Sequence, residues 1–226
     1  SVTFVPASGP PGNPITVNSG TDGRVSVSVR VSAGTAPGTI TITAETTVGN
    51  VTYNLTVTGR TPSFTAAAVV NAASSVAGMV PGGLATVFGS GLSEVTGIES
   101  PGGATTHRGV QVRIDGQAMP LFAVANVGGQ EQINFQVRTD VPGPSTVRVE
   151  LSNNGATFSV SNVPVLRAQP GIFEYTPAGS AVKHAAAVKP DGSVIGPNNR
   201  AARGSAVQLY LTGGGPSLPL LPTGQA

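Results

Sequence analysis

A row of amide side chains is the part of this sequence whose residue types and spacing come nearest to a binding surface. Gln132, Asn134 and Gln136 alternate with Ile133 and Phe135. In a β-strand this alternation places the three amides on one face and the apolar side chains on the other. Such a row can bind a sugar, bond to a neighbouring strand, or form a solvated face with ordinary cross-strand hydrogen bonds. The solvated face is the simplest interpretation, and the row is the candidate contact site for a ligand or partner.

A second spacing suggests nucleophilic catalysis. Ser180 and Lys183 match the Ser-x-x-Lys pattern of penicillin-recognising enzymes, in which a helical turn brings the amine to the hydroxyl. Pro177 and Gly179 come just before this segment, and no Lys-Thr-Gly or Ser-Asp-Asn segment accompanies it. We interpret the spacing as a chance match of a short pattern.

The two histidines, His107 and His184, could serve a triad or a metal site. A triad needs a serine presented on a Gly-x-Ser-x-Gly elbow, which the sequence lacks. A zinc site needs more ligands than two histidines with unmatched carboxylates. We therefore expect both to be loop histidines, and we predict no catalytic residue and no metal ligand.

Three aspartates, Asp22, Asp115 and Asp191, each precede a glycine. As calcium ligands they would need further oxygens nearby, and no local run has the density of a calcium loop. Tight turns explain all three, because glycine adopts positive φ without a Cβ clash. The sequence thus predicts no cofactor.

The elements that must position these residues are short segments in which apolar and polar residues alternate. This period of two is typical of antiparallel strands with one buried face. The predicted strands are 1–5, 15–17, 24–31, 39–45, 51–58, 84–88, 110–114, 119–124, 133–137, 146–151, 157–165, 172–175, 185–189 and 206–212. An Ala-rich stretch over 64–77 predicts a strand followed by a short helix or turn. The fold class is all-β, interpreted as tandem immunoglobulin-like antiparallel β-sandwiches.

Composition narrows the classes of function. Charged residues are 10% of the 226, cysteine is absent, and the net charge of +2 comes from scattered arginines with 4% aromatics. Nucleic-acid binding favours clustered basic residues with interleaved aromatics, so we predict no nucleic-acid partner. No apolar run is long enough to predict a membrane span. Low charge and polar faces rich in Thr, Ser and Asn favour an extracellular or cell-surface protein.

The chain divides into two predicted domains. Residues 1–59 form a partial immunoglobulin-like sandwich with about five strands, where such a domain has about seven. Residues 60–63 form the linker, and residues 64–226 form the second sandwich. Within it, 82–91 and 204–215 share a glycine start, an apolar strand with a late aromatic, and a glycine exit. The repeat predicts a further strand beyond 226, and the first sandwich has too few strands, so we expect both chain ends to be incomplete.

Several motifs together resemble a known family. Val70-Asn71-Ala72-Ala73-Ser74, Pro81-Gly82-Gly83, Gln132-Ile133-Asn134-Phe135-Gln136-Val137 and Pro170-Gly171-Ile172-Phe173 resemble the Solibacter-type uncharacterised C-terminal domain from about residue 64 onward. Gly38-Thr39-Ile40-Thr41-Ile42-Thr43-Ala44 resembles the end of an invasin/intimin-type bacterial immunoglobulin-like domain. The first resemblance implies a module at the end of a large exported bacterial protein. Neither supplies a catalytic residue.

The sequence therefore predicts a non-enzymatic structural or adhesive module outside the cell. Sheet edges left open would be completed by a strand from a neighbouring chain or sandwich domain, which could build a surface filament. The alternative is a carbohydrate- or surface-binding module attached to a larger secreted enzyme. In that case the amide row and loop residues would contact glycans.

Overall fold

The computed structural model describes residues 2–6, 15–28, 38–57, 59–216 and 222–224. These residues form an all-β protein in which every paired strand is antiparallel to its neighbour. One short 3₁₀ helix, Ala66–Ala68, is the helical element of the described residues. The predicted fold class is confirmed at the level of an all-β, antiparallel architecture.

The first sheet is four-stranded. Its strands are β1 (Val2–Pro6), β2 (Ile15–Val17), β3 (Gly38–Thr46) and β4 (Gly49–Val57), in the order β2-β1-β3-β4. A tight turn at Thr47 and Val48 joins β3 to β4, with Ile42 opposite Tyr53. The strands described up to residue 57 form this one sheet, so an immunoglobulin-like class for this part of the chain stays a prediction.

The strand predicted over 24–31 is wrong for residues 24–28, which are not part of any sheet. Local bonds satisfy this backbone instead: the Arg24 N–H donates to Asp22 Oδ1 at 3.1 Å and the Gly20 N–H to the Arg24 carbonyl at 3.1 Å. The Asp22-Gly23 turn therefore forms without a hairpin around it. Val29 and Val31, from the same predicted strand, lie outside the described residues.

Two further sheets share one core in a sandwich-like arrangement. Their strands are β5 (Val69–Asn71), β6 (Leu84–Gly89), β7 (Gly97–Glu99), β8 (Val110–Ile114), β9 (Gln117–Ala118), β10 (Leu121–Val127), β11 (Gln130–Gln136), β12 (Ser145–Asn153) and β13 (Ala156–Val165). One sheet has the order β5-β6-β11-β10-β7 and the other β13-β12-β8-β9. Buried apolar residues of both sheets, such as Phe135 and Leu151, belong to one cluster. The alternation seen in the sequence thus separates this core from the outer faces.

Two predicted turns close hairpins of this sandwich. Asn154 and Gly155 have φ of 47° and 86° between β12 and β13, and Asp115 and Gly116 have φ of 45° and 82° between β8 and β9. Positive φ at both central residues matches the right-handed twist of the flanking strands, which explains the Asn-Gly and Asp-Gly pairs. Turn chemistry therefore sets the register of these strands.

The chain after the sandwich forms three short strand segments, each interrupted in the middle. They are β14 (Gly171–Ile172) with β15 (Glu174–Tyr175), β16 (His184–Ala185) with β17 (Ala187–Val188), and β18 (Gln208–Leu209) with β19 (Leu211–Thr212). β14 pairs with β19, β15 with β16, and β17 with β18. Each segment therefore pairs with one neighbour in its first half and with the other in its second half.

Three backbone hydrogen bonds close this arrangement into a triangle. The Phe173 N–H donates to the Tyr210 carbonyl at 3.0 Å, the Tyr210 N–H to the Ala186 carbonyl at 3.0 Å, and the Ala186 N–H to the Phe173 carbonyl at 2.6 Å. The strand predicted over 206–212 is accordingly broken at Tyr210. The sequence repeat that equates it with 84–88 does not extend to structure, because β6 is a continuous strand with a buried centre.

Candidate functional site

The amide row lies on β11, on the face opposite the shared core. Gln132 and Asn134 are half-buried, and Gln132 Nε2 donates to Asn134 Oδ1 at 3.5 Å. Asn134 Oδ1 also accepts from the Thr86 hydroxyl at 3.1 Å. Gln136 differs, since only 3% of it is exposed. Its Nε2 donates to the Gly82 carbonyl at 3.2 Å and its Oε1 accepts the Gly224 N–H at 2.5 Å. The Gln136 amide therefore links β11 to the segments at Gly82 and Gly224.

His107 belongs to a surface cluster with β7. Its Nε2 lies 2.6 Å from Glu99 Oε2, which also accepts from Arg108 Nε at 2.6 Å. These two hydrogen bonds, that of His107 foremost, lower the pKa of Glu99. His107 thus binds the carboxylate of Glu99 on the neighbouring strand β7. The sequence pattern did not indicate Glu99 as its partner.

The other residues considered for chemistry have separate partners. The Ser180 hydroxyl bonds to the backbone of Val182, while Lys183 Nζ lies 3.4 Å from Glu174 Oε2. The expectation of a loop is wrong for His184, which lies in β16 opposite Tyr175, with 6.3 Å between the ring centroids. Within the described residues, no group of three or more His, Cys, Asp or Glu side chains could hold a metal ion.

Each of the three aspartates accepts a hydrogen bond from a backbone N–H. Asp22 Oδ1 accepts from the Arg24 N–H, Asp115 Oδ1 from the Arg148 N–H at 2.9 Å, and Asp191 Oδ1 from the Ser193 N–H at 2.9 Å. The hydrogen bonds from Ser193 lower the pKa of Asp191. The bonds of Asp22 and Asp191 close their own turns, as the turn interpretation predicts. Asp115 instead uses its carboxylate to bind the neighbouring strand β12 at Arg148.

An open groove lies beside the triangle. It has a volume of about 580 Å³ and is lined by Tyr175, Pro177, Ala178, Ala186, Ala187, Val188, Val194, Gly196, Pro197, Asn198, Asn199 and Tyr210. The Tyr175 hydroxyl donates to the Ile195 carbonyl at 2.5 Å, and the Asn199 amide bonds to Lys189, Ser193 and Val194. The side chains of Tyr175 and Asn199 are therefore held in place by hydrogen bonds where they line the groove. The Tyr210 hydroxyl and the Asn198 amide have no hydrogen-bond partner among the described residues, and both residues are exposed.

The outer strand of the first sheet presents a different surface. β4 pairs with β3 on one side and with no other strand of the described residues. Val51, Tyr53 and Leu55 are 54%, 53% and 38% exposed, whereas their partners on the same face of β3, Ile42 and Ala44, are 8% and 7% exposed. The apolar face of this sheet is therefore buried at β3 and exposed to solvent along β4.

Comparison of the chain with protein-family models, with curated proteins and with solved structures finds no match. The family resemblances drawn from short motifs therefore remain predictions. No helix among the described residues has the length and apolar character needed to cross a membrane.

Proposed function

We propose that this chain is a non-enzymatic structural or adhesive module outside the bacterial cell, and that it joins copies of itself or neighbouring sandwich domains by strand complementation. The edge of β4 that no strand of the described residues covers is the observation that carries this proposal. Every second residue of an antiparallel edge strand directs its N–H and C=O away from the sheet, where another strand can bond to them.

Three properties of β4 favour such pairing. The strand is nine residues long and reads Gly-Asn-Val-Thr-Tyr-Asn-Leu-Thr-Val, without a charge or a proline. Natural edge strands are usually protected by lysine, proline, a bulge or short length. β4 contains neither lysine nor proline. It pairs with β3 residue by residue, without a bulge. An edge of this kind pairs readily with a further strand.

The experiment is a measurement of assembly in the whole chain. We expect light scattering after size-exclusion chromatography, together with electron microscopy, to find dimers or filaments. Tyr53→Lys should lower the assembled fraction by placing an ammonium group on the open apolar strip. Val48→Lys, in the adjoining turn where Val48 is 95% exposed, is the matched control and should leave assembly unchanged. A wild-type chain that stays monomeric at all concentrations contradicts the proposal.

The groove favours carbohydrate binding as a second candidate function. Its lining contains two tyrosines and a free amide but no charged residue, which suits an uncharged ligand with apolar C–H faces and hydroxyl groups. Tyr210, 46% exposed, offers a ring to such a ligand, and Asn198 offers a donor and an acceptor. The amide row on β11 is the other place where a glycan could bind.

Titration with neutral polysaccharides tests this candidate and separates the two places. Loss of binding in Tyr210→Ala, with binding retained in Gln132→Ala/Asn134→Ala, assigns the ligand to the groove; the reverse assigns it to the row. Val182→Ala, at an exposed position outside the groove lining, is the control. Absence of binding to a broad glycan array contradicts the carbohydrate function.

A further inference from the structure

We infer that the strand completing the edge of β4 is β4 of a second copy, antiparallel to the first, with Tyr53 on the two-fold axis between them. This inference rests on the proposed function and adds the identity of the partner and the register of the pairing. It follows from the order of residues along the strand, from their exposure and from their lack of charge.

From residue 50 to residue 56, the sequence of β4 matches its own reverse in chemical type. When two copies are laid antiparallel about Tyr53, apolar residues oppose apolar residues, and amides oppose hydroxyls. The pairs are Val51 with Leu55, Thr52 with Asn54, Asn50 with Thr56, and Tyr53 with itself. A two-fold interface requires this kind of self-complementary surface, because each patch meets its own copy.

The register is specified by the same pattern. A slip of one residue between two strands moves the side chains of one strand to the other face, so that Val51, Tyr53 and Leu55 would meet polar residues. Larger even slips keep the faces but shorten the overlap. Pairing about Tyr53 is the register in which all nine residues of β4 find partners.

The exposed apolar side chains of β4 lie next to one another across the interface in this arrangement. Val51, Tyr53 and Leu55 lie on one face of the sheet, as shown by their opposition to Ala44, Ile42 and Ile40. Pairing places the strips of the two copies side by side, with the two Tyr53 rings adjacent across the axis. Since β4 carries no charge, no like-charge repulsion opposes the contact. A two-fold contact closes, so it yields a dimer, and a filament would need a second contact elsewhere.

Disulfide trapping in the whole chain tests the register. The native chain has no cysteine, so Tyr53→Cys introduces a single thiol per copy. On the axis, the two thiols face each other within the reach of a disulfide. Val51→Cys is the matched control, because Val51 lies on the same face, is equally exposed and opposes Leu55. We expect mild oxidation to link Tyr53→Cys at least about tenfold faster than Val51→Cys, since copies of Val51 lie about 14 Å apart in this register.

Charge substitutions provide a second test that does not depend on cysteine. Thr52→Lys/Asn54→Lys places ammonium groups opposite one another twice across the axis and should raise the dimer dissociation constant about tenfold. Thr52→Lys/Asn54→Glu places opposite charges there and should restore dimerisation. Thr157→Lys/Ser159→Lys on β13 adds the same charge away from β4 and should have no effect. Circular dichroism verifies that each variant is folded.

The outcomes separate this inference from the proposed function. If the wild-type chain assembles but Tyr53→Cys and Val51→Cys link equally fast, or both charge variants assemble like the wild type, the register is wrong while strand complementation stands. If the wild-type chain is monomeric, the proposed function fails and this inference fails with it. Selective linking through Tyr53→Cys, together with restoration by the opposite charges, supports both.

Discussion

Asn71 and Gln169, 98 residues apart in the chain, are joined by a hydrogen bond of 2.7 Å from the Asn71 side-chain amide to the Gln169 carbonyl. Asn71 is 2% exposed, and its Oδ1 accepts the N–H groups of Ala73 and Ser74. The Gln169 N–H in turn donates to the Gly213 carbonyl at 2.8 Å. One buried amide therefore fixes the turn after β5 and attaches the triangle to the sandwich.

Asn71→Asp tests this junction with almost no change of shape. The carboxylate can still accept from Ala73 and Ser74, but it cannot donate to the Gln169 carbonyl and would face that oxygen with a negative charge. We expect the free energy of unfolding to fall by about 1–3 kcal/mol, as when a buried polar group loses its partner. Urea unfolding followed by circular dichroism measures the loss. Asn198→Asp, at an exposed and unbonded amide, is the control, and an equal effect of the two variants would contradict the role of Asn71.

Arg60, within the predicted linker, is paired with a buried carboxylate of the sandwich. Glu131 has a side chain that is 5% exposed, accepts from Arg60 Nη2, and accepts the Leu92 N–H at 2.7 Å. Arg60→Ala leaves this carboxylate without a cation, which we expect to lower the free energy of unfolding by about 3–5 kcal/mol. Glu131→Ala should lower it by about 1–3 kcal/mol, because Arg60, 43% exposed, can return to water and mainly the Leu92 N–H is left unsatisfied.

Thermal and urea unfolding of the two variants measure this difference. Arg148→Ala, which breaks the exposed pair with Glu150, is the control and should change stability by less than about 1 kcal/mol. If Arg60→Ala changes the free energy of unfolding as little as this control does, the pair of Arg60 and Glu131 does not stabilise the sandwich. Residues 60–63 would then only connect the two parts of the chain.

Gly91 allows the segment before residue 64 to approach the sandwich. Its φ is +67°, and a Cβ at this position would overlap the Thr61 carbonyl. Gly91→Ala should therefore lose about 1–2 kcal/mol from the unfavourable φ, and a further 1–3 kcal/mol or so from the displaced backbone. Gly128→Ala isolates the first contribution, since Gly128 has φ of +60° and open space around it. Equal losses in the two variants would show that the approach of Thr61 is unimportant.

The Glu99 cluster predicts a pH dependence with a definite sign. The hydrogen bonds from His107 and then Arg108 hold the pKa of Glu99 below its ordinary value of 4.5. A carboxyl group whose pKa is lowered by folding stabilises the folded state above its unfolded pKa, and this contribution is lost as the pH falls through the folded pKa. Acidification through the folded pKa of Glu99, which lies below 4.5, should thus release the contact between β7 and the loop of His107.

Carbon NMR of the Glu99 carboxyl measures its titration directly. We expect a midpoint below 4.5 in the wild-type chain. His107→Gln should move the midpoint upward more than Arg108→Gln does, because the hydrogen bond from His107 is the largest cause of the shift. A wild-type midpoint at or above 4.5, or a larger effect of Arg108→Gln, would contradict this assignment.

Local pattern was a good guide to most strands of the sandwich. The strand over 110–114 agrees residue for residue with β8, and those over 146–151 and 157–165 lie within β12 and β13. β7 was missed because three residues are too few to show an alternation. Residues 24–28 were wrongly assigned for the opposite reason, since alternation of valines can occur where turn bonds compete for the backbone. The placement of Gln132 and Asn134 on one face of β11 follows from their spacing, but the spacing does not predict the burial of Gln136.

What the sequence determined by itself is the set of local choices: which side chains face the core, and where glycine lets the chain reverse. These depend on residues two or three positions apart, so a period of two and an Asn-Gly pair are sufficient evidence. The tertiary structure alone decided how distant segments meet. Three such features are the triangle of Phe173, Ala186 and Tyr210, the bond from Asn71 to Gln169, and the edge of β4 that no described strand covers. All three depend on how elements far apart in the chain pack together. No local pattern encodes such contacts, because the same alternating strand can lie inside a sheet or at its edge.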